Sequence, residues 1–168
     1  VVYQILNFII NFIRPIPFII FLTAIRPLTI DVIGTSIGTD AAIFPMVIIC
    51  SAATARIVEQ NLVGANSGVI EAARSMGCGR IRTLMTILVP EALAPLILGY
   101  AFIFIAVVDM SAMAGMIAGG GLGSFALNYG YRQMDDQVTW IAIAIIIVIV
   151  QIMQQLANLV AKQILKRR

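Results

Sequence analysis

The chain has 168 residues, 61% of them hydrophobic and 11% charged, with a net charge of +3. Ordinary soluble domains carry about 25% charged residues, so a mean hydropathy of +1.02 leaves too little polar material to cover a water-facing surface and points to several membrane-spanning helices. No basic patch is interleaved with aromatics, which excludes nucleic acid as a partner. Histidine is absent, which removes the commonest acid–base catalyst and metal ligand.

The chain begins at Val1, without an initiator methionine or a signal peptide, and reads as one with sequence missing upstream. Gln4, Asn7, Asn11 and Arg14 recur three or four residues apart and put one polar stripe on an otherwise apolar helix. This opening segment is either interfacial or an extension of the first span, bent near Pro15 and Pro17. Four spans follow, at about 15–30, 41–57, 95–114 and 138–160. Arg26 makes the first of these the weakest, and Pro45 inside the second is tolerated in a membrane helix. The last is the clearest, with Trp140 near one end and Lys162, Lys166, Arg167 and Arg168 at the other. Cys50 and Cys78 are far apart and form no metal or redox motif, and Cys50 reads as a small buried apolar residue.

Lysine and arginine placement sets the orientation. With the C-terminus cytoplasmic, nine of the eleven fall inside, among them Arg14, Arg56, Arg74, Arg80 and Arg82. Only Arg26 and Arg132 lie outside, together with Asp31, Asp40, Asp135 and Asp136. The segment 58–92 is then a cytoplasmic loop. Within it Asn66, Ser67 and Gly68 start a helix, Glu71 suits its first turn, and Gly77 and Gly79 stop it. A helix of about three turns is marginal alone and needs something to pack against. Val69, Ala72, Ala73 and Met76 share one face, and the two alanines make that face slim enough to enter a groove. After Gly79 the chain restarts as a helix and meets Pro90 and Pro95 on re-entering the membrane.

The loop resembles the EAA motif of permease subunits of bacterial ATP-binding-cassette importers. The family pattern is E-A-A, three residues, G, nine residues, I, one residue, L-P. Here it runs Glu71-Ala72-Ala73, three residues, Gly77, nine residues, Ile87, Leu88, then Val89-Pro90, and only Val89 departs from the usual leucine. GTSIG at 34–38, RPIPF at 14–18, SAMAG at 111–115, GGGLG at 119–123 and NYGY at 128–131 resemble the methionine-uptake branch over nearly the whole chain. The resemblance implies an all-α, polytopic bundle of the type I importer permease kind, with five spans per subunit in the family against four here, the N-terminal one missing. It implies a homodimer in the bacterial cytoplasmic membrane, a separate pair of ATPase subunits holding ATP and Mg, and an extracytoplasmic substrate-binding lipoprotein. It implies that the short helix is a coupling helix docked on the ATPase, with Glu71, Ala72, Ala73, Arg74, Ser75, Met76, Gly77 and Pro90 as the coupling residues. Arg74, Arg80 and Arg82 either pair with acids on the ATPase or act only as topology signals.

Asp109 is an acid within or at the edge of a span, a functional candidate by default. Related permeases have a small uncharged residue there. Contact with a substrate amine, pairing with Arg26 or Arg132, and exposure to outer water all remain open for it. Met110, Ser111, Met113 and Met116 lie beside it and suit a flexible gate or ordinary helix packing. Gly115, Gly119 and Gly123 form overlapping GxxxG units, although so glycine-rich a run favours a re-entrant or loop segment facing outside. Arg132, Asp135 and Asp136 either meet a delivery protein or form a solvated loop.

The function expected is a permease subunit that forms the translocation pathway for methionine, in its D or L form, or a related small amino acid. No phosphate-binding loop of the G-x-x-x-x-G-K-[ST] kind is present, so energy comes from a partner, and no cofactor or metal is expected in this chain. Alternatives are a permease for other amino acids or small peptides and a gradient-driven transporter. The last needs several intramembrane ionisable groups and has Asp109 as its one serious candidate. A membrane enzyme lacks parts, with no H-E-x-x-H, no G-x-S-x-G and no paired intramembrane aspartates.

Overall fold

A computed structural model describes residues 2–64 and 67–166, without the side chains of Ser67 and Arg74. Val1, the expected helix-start residue Asn66, and the terminal Arg167 and Arg168 lie outside the described residues. Every regular element among the described residues is helical. They are α1 (Val2–Ile13), α2 (Phe18–Ala24), α3 (Arg26–Ile33), α4 (Thr39–Val63), α5 (Ser67–Ser75), α6 (Arg80–Thr83), α7 (Val89–Ala114), α8 (Gly121–Phe125) and α9 (Asp136–Lys166).

Three helices form the body. α7 is the middle layer, with α4 on one side and α9 on the other. Small side chains set the close approaches. Ala41, Ala42 and Ala52 of α4, Ala92, Ala94 and Ala101 of α7, and Ala142, Ala157 and Ala161 of α9 are buried. Gly99 of α7 lies against Ile57 of α4 with no room for a methyl group. The large apolar side chains point the other way. Phe102 and Trp140 are 66% and 69% exposed, which is the arrangement of a bundle solvated by lipid rather than water.

Among the described residues, three helices are each long and apolar enough to cross a membrane: Thr39–Val63, the rod Arg80–Ile117, and Asp136–Lys166. The rod has 38 residues, about 57 Å at 1.5 Å per residue, well beyond the ~30 Å hydrocarbon layer. It is continuous but not uniform. Leu84–Leu88 is a π turn directly before Pro90. In a regular α-helix the proline ring clashes with the carbonyl four residues back and has no N–H to give. A widened turn relieves both, and the Val89 N–H donates to the carbonyl of Leu84 instead. A second π stretch, Ala126–Tyr131, leads into the turn before α9.

The segment expected as a first span over 15–30 is not one helix. The chain turns by 107° between α1 and α2, at the Pro15–Pro17 step, and α1 and α2 pass the length and hydropathy test only as that bent pair. It breaks again at Ile25, and α3 restarts with Pro27 in its first turn. α1 packs against α4. There the Tyr3 hydroxyl donates to Glu59 Oε1 at 2.6 Å, and Arg56 Nη1 pairs with Glu59 Oε2 at 2.6 Å. Asn11 donates to Asn7 at 3.0 Å along the polar stripe.

Candidate functional site

The loop helix α5 is built by its ends. Gly77 stands at φ +78, and nothing lies within 4 Å of where a methyl group would sit on it. This is the left-handed conformation that glycine adopts without cost. The Cys78 N–H donates to the carbonyl of Ala73 at 3.1 Å, a bond that closes a Schellman cap. The helix begins at Ser67, so Glu71 falls in its second turn, one turn later than the sequence suggests. The two alanines also separate. Ala73 is buried, while Ala72, Ser75, Met76 and Gly77 are exposed. α5 leans on α6 and the π turn that follows, and Thr83 is buried there, its hydroxyl donating to the carbonyl of Gly79 at 3.1 Å.

The free face of this loop is more apolar than the motif alone implies. Met76, Ile81 and Met85 are 74%, 77% and 61% exposed, with exposed Glu71, Arg80 and Arg82 around them. An apolar centre ringed by charge is what a protein partner needs. Ile81 and Met85 do not stand out in the sequence. The signal available there is their place between two glycines and Pro90, too close to the loop for the membrane to cover them. Pro90 is half-buried at the start of α7, and its role is to shape the preceding turn.

The candidate pathway residues do not form one cluster. Met110 is buried with Phe18 and Leu22 in the apolar core between α2 and α7, with Cys50 half-buried against them. Asp109, one residue earlier, is exposed and makes no ion pair among the described residues, so neither Arg26 nor Arg132 holds it. Ser111 is half-buried and lines a pocket of about 210 Å³ between α7, α8 and α9, Met113 is 36% exposed, and Met116 is 60% exposed at the end of the rod.

The glycine run is a fold-back, not a continuous helix face. Ala118 and Gly120 have φ of +56 and +74, and α8 returns along the end of α7. Gly123 lies on Ala112, and a methyl on Gly115 would stand 2.6 Å from the Ser124 nitrogen. The chain therefore turns back here instead of running on as one helix. Asp135 caps α9, its Oδ1 accepting the N–H groups of Gln137 and Val138 at 3.0 and 3.2 Å.

Beside this fold-back lies a cleft of about 480 Å³, reaching from α2 and α3 across the 34–38 loop to Met116, Ile117 and Ala118. The Gly38 N–H donates to the carbonyl of Ile117 at 3.0 Å and ties the two walls together. Arg26 lines it, its Nε donating to Ser36 Oγ at 3.2 Å. In the sequence Arg26 reads as a blemish in a span, an outer-side cation and a possible partner of Asp109, and nothing there marks it as lining a cleft.

Residues 1–166 match the family described as binding-protein-dependent transport system inner membrane component. The chain belongs to that family. This permease is 41% identical over 160 residues to the probable D-methionine transport system permease protein MetI of Haemophilus influenzae, covering 95% of this chain and 75% of the relative. It is 37% identical over 159 residues to the methionine import system permease protein MetP of Bacillus subtilis, covering 95% and 72%. A solved chain from the MetNI methionine ABC transporter in inward-facing conformations superposes with a TM-score of 0.91 at 34% identity, over 97% of this permease and 76% of that chain. The chain is thus a multi-pass inner-membrane transport component and not an enzyme.

Proposed function

We propose that this chain is the permease subunit of an ATP-driven importer of methionine, working as a pair of copies on a pair of separate ATPase subunits. The observation that carries this is the superposition on the MetNI permease chain over almost the whole length, joined by methionine permease relatives from two distant bacteria. The C-terminus is cytoplasmic, because that orientation alone gathers nine of the eleven basic residues inside. The loop 58–92 then faces the ATPase, and α5 is the part that docks. Glu71, Ala72, Ser75, Met76 and the Gly77 stop form the contact face with Arg74 beside them, Ala73 anchors the helix to its own chain, and Pro90 fixes the turn that joins the loop to α7. ATP binding closes the ATPase pair, α5 follows, and the pathway opens outward toward a substrate-binding lipoprotein. ATP and Mg stay on the partner.

The experiment is co-purification with a co-expressed ATPase subunit of a methionine importer, together with uptake of labelled methionine. Wild type brings the ATPase with it and carries methionine. Gly77→Val, which forces a β-branched residue into a left-handed conformation, and Met76→Asp each lose association. Gly77→Asn keeps it, since asparagine adopts that conformation readily. Association that survives both disruptive variants removes α5 from the interface. Uptake of other amino acids but not methionine removes the substrate.

A further inference from the structure

The cleft at Arg26 has a polar rim, where Arg26 and Thr23 are exposed and Ser36 is half-buried, over an apolar floor, and nothing in the coupling machinery uses it. Its volume of about 480 Å³ falls in the range of small-molecule sites, about 300–1,000 Å³. The Arg26 guanidinium is held at one end only. Nε donates to Ser36 Oγ, and no acid pairs with its two terminal nitrogens among the described residues. A guanidinium steadied through Nε presents its Nη1 and Nη2 edge as a fork that fits a carboxylate with two parallel hydrogen bonds. The Ser36 hydroxyl accepts from Arg26, which leaves its own hydrogen free for the same carboxylate.

Hydroxyl chemistry next to that fork points to a second ligand group. Thr23 donates to the carbonyl of Ile20 at 2.8 Å, and Thr29 to that of Ile25 at 3.1 Å. With these hydrogens committed to their own helices, the threonines offer the cleft only lone pairs, which suit an ammonium group. The remaining wall is apolar and deformable. Leu22 is buried, and Ile37 and Met116 are 63% and 60% exposed. Methionine side chains adapt to flexible apolar partners.

We infer that this cleft receives a free α-amino acid, with Arg26, steadied by Ser36, gripping the carboxylate, Thr23 accepting from the ammonium, and Ile37 and Met116 covering an apolar side chain. It rests on the importer assignment made above, which puts the cleft at the outer mouth of the bundle. The site takes the substrate as it leaves the binding protein, ahead of the membrane pathway. A peptide is a poor fit, because its amide bonds place the ammonium and the carboxylate on different residues, too far apart for one Arg26–Thr23 pair to read together.

Binding is measured by calorimetry on the assembled permease–ATPase complex without binding protein. The probes are L-methionine, L-leucine and L-methioninamide, which lacks the carboxylate. Wild type is expected to bind at least one free amino acid, and Arg26→Gln to weaken that binding about tenfold or more, the loss of one strong charge-assisted contact. Ser36→Ala weakens it less, Arg26→Lys falls between, and the amide binds as poorly to wild type as the acid does to Arg26→Gln. Equal binding of acid and amide overturns the assignment, as does wild-type affinity in Arg26→Gln or no binding of any probe. Should Arg26→Gln fail to assemble, the amide comparison and Arg26→Lys decide. Methionine uptake separates the two conclusions. Uptake with no dependence on Arg26 sinks the cleft and leaves the substrate standing. Arg26-dependent binding of leucine without methionine uptake does the reverse.

Discussion

At Gly123 a single methyl group would fall on the Cα of Ala112, a backbone atom that cannot step aside. Gly123→Ala is therefore expected to destabilise the chain by about 1–3 kcal/mol, the usual scale of overpacking. At Gly79, where φ is −67 and the space is open, alanine should stay within about 0.5 kcal/mol of wild type. Thermal melting of the two variants in detergent makes the comparison, and equal melting would mean that the fold-back is not tightly packed. Glycines also show what a sequence reveals at this scale. The stop at Gly77 is legible because it follows from local backbone conformation alone. The need at Gly123 is not, since it arises from a chain segment eleven positions away, where α8 returns along α7. Asp135 is legible in principle as a helix cap, but the adjacent Asp136 and Arg132 make the same stretch resemble an outer docking loop. Met110 and Asp109 are neighbours with opposite fates, one buried and one exposed, and only the packing of α2 tells them apart.

Among the elements, the long helices α4 and α9 enclose the segments expected from hydropathy at 41–57 and 138–160. The breaks are where expectation and structure part. Pro15, Pro17 and Pro27 divide the region before residue 34 into three helices, because two closely spaced prolines turn the chain and a third restarts it. Hydropathy averaging passes over such breaks. The π turn at Leu84–Leu88 is likewise a backbone response to Pro90. Replacing Pro90 by alanine supplies the missing N–H and removes the ring, so a regular α-helix can form across the turn. Amide exchange over residues 84–92 should then slow, by about tenfold if one hydrogen bond worth ~1.4 kcal/mol is gained. Exchange at the wild-type rate would show that the widened turn is held by packing and not by the proline.

Across the molecule, alanines dominate the buried positions while most isoleucines and several phenylalanines face outward, the reverse of a water-soluble core. That much is legible from composition. Orientation is open to a direct check. With Cys50 and Cys78 replaced by serine, a single cysteine at Lys166 should react with a membrane-impermeant maleimide only from inside, and one at Asp136 only from outside. The opposite pattern would invert every assignment of inner and outer faces made above. What composition does not supply is the connection between those faces. The rod Arg80–Ile117 begins at the loop where α5 sits and ends at Ile117, whose carbonyl holds Gly38 at the rim of the outer cleft. On the orientation proposed above, one continuous body thus joins the coupling loop to the cleft at Arg26. A lever about 57 Å long that tilts by roughly 5° sweeps its far tip through about 5 Å, which is comparable to the width of a small side chain. A modest push on the inner loop would then pry the cleft open or shut with no messenger between them but a change of slope.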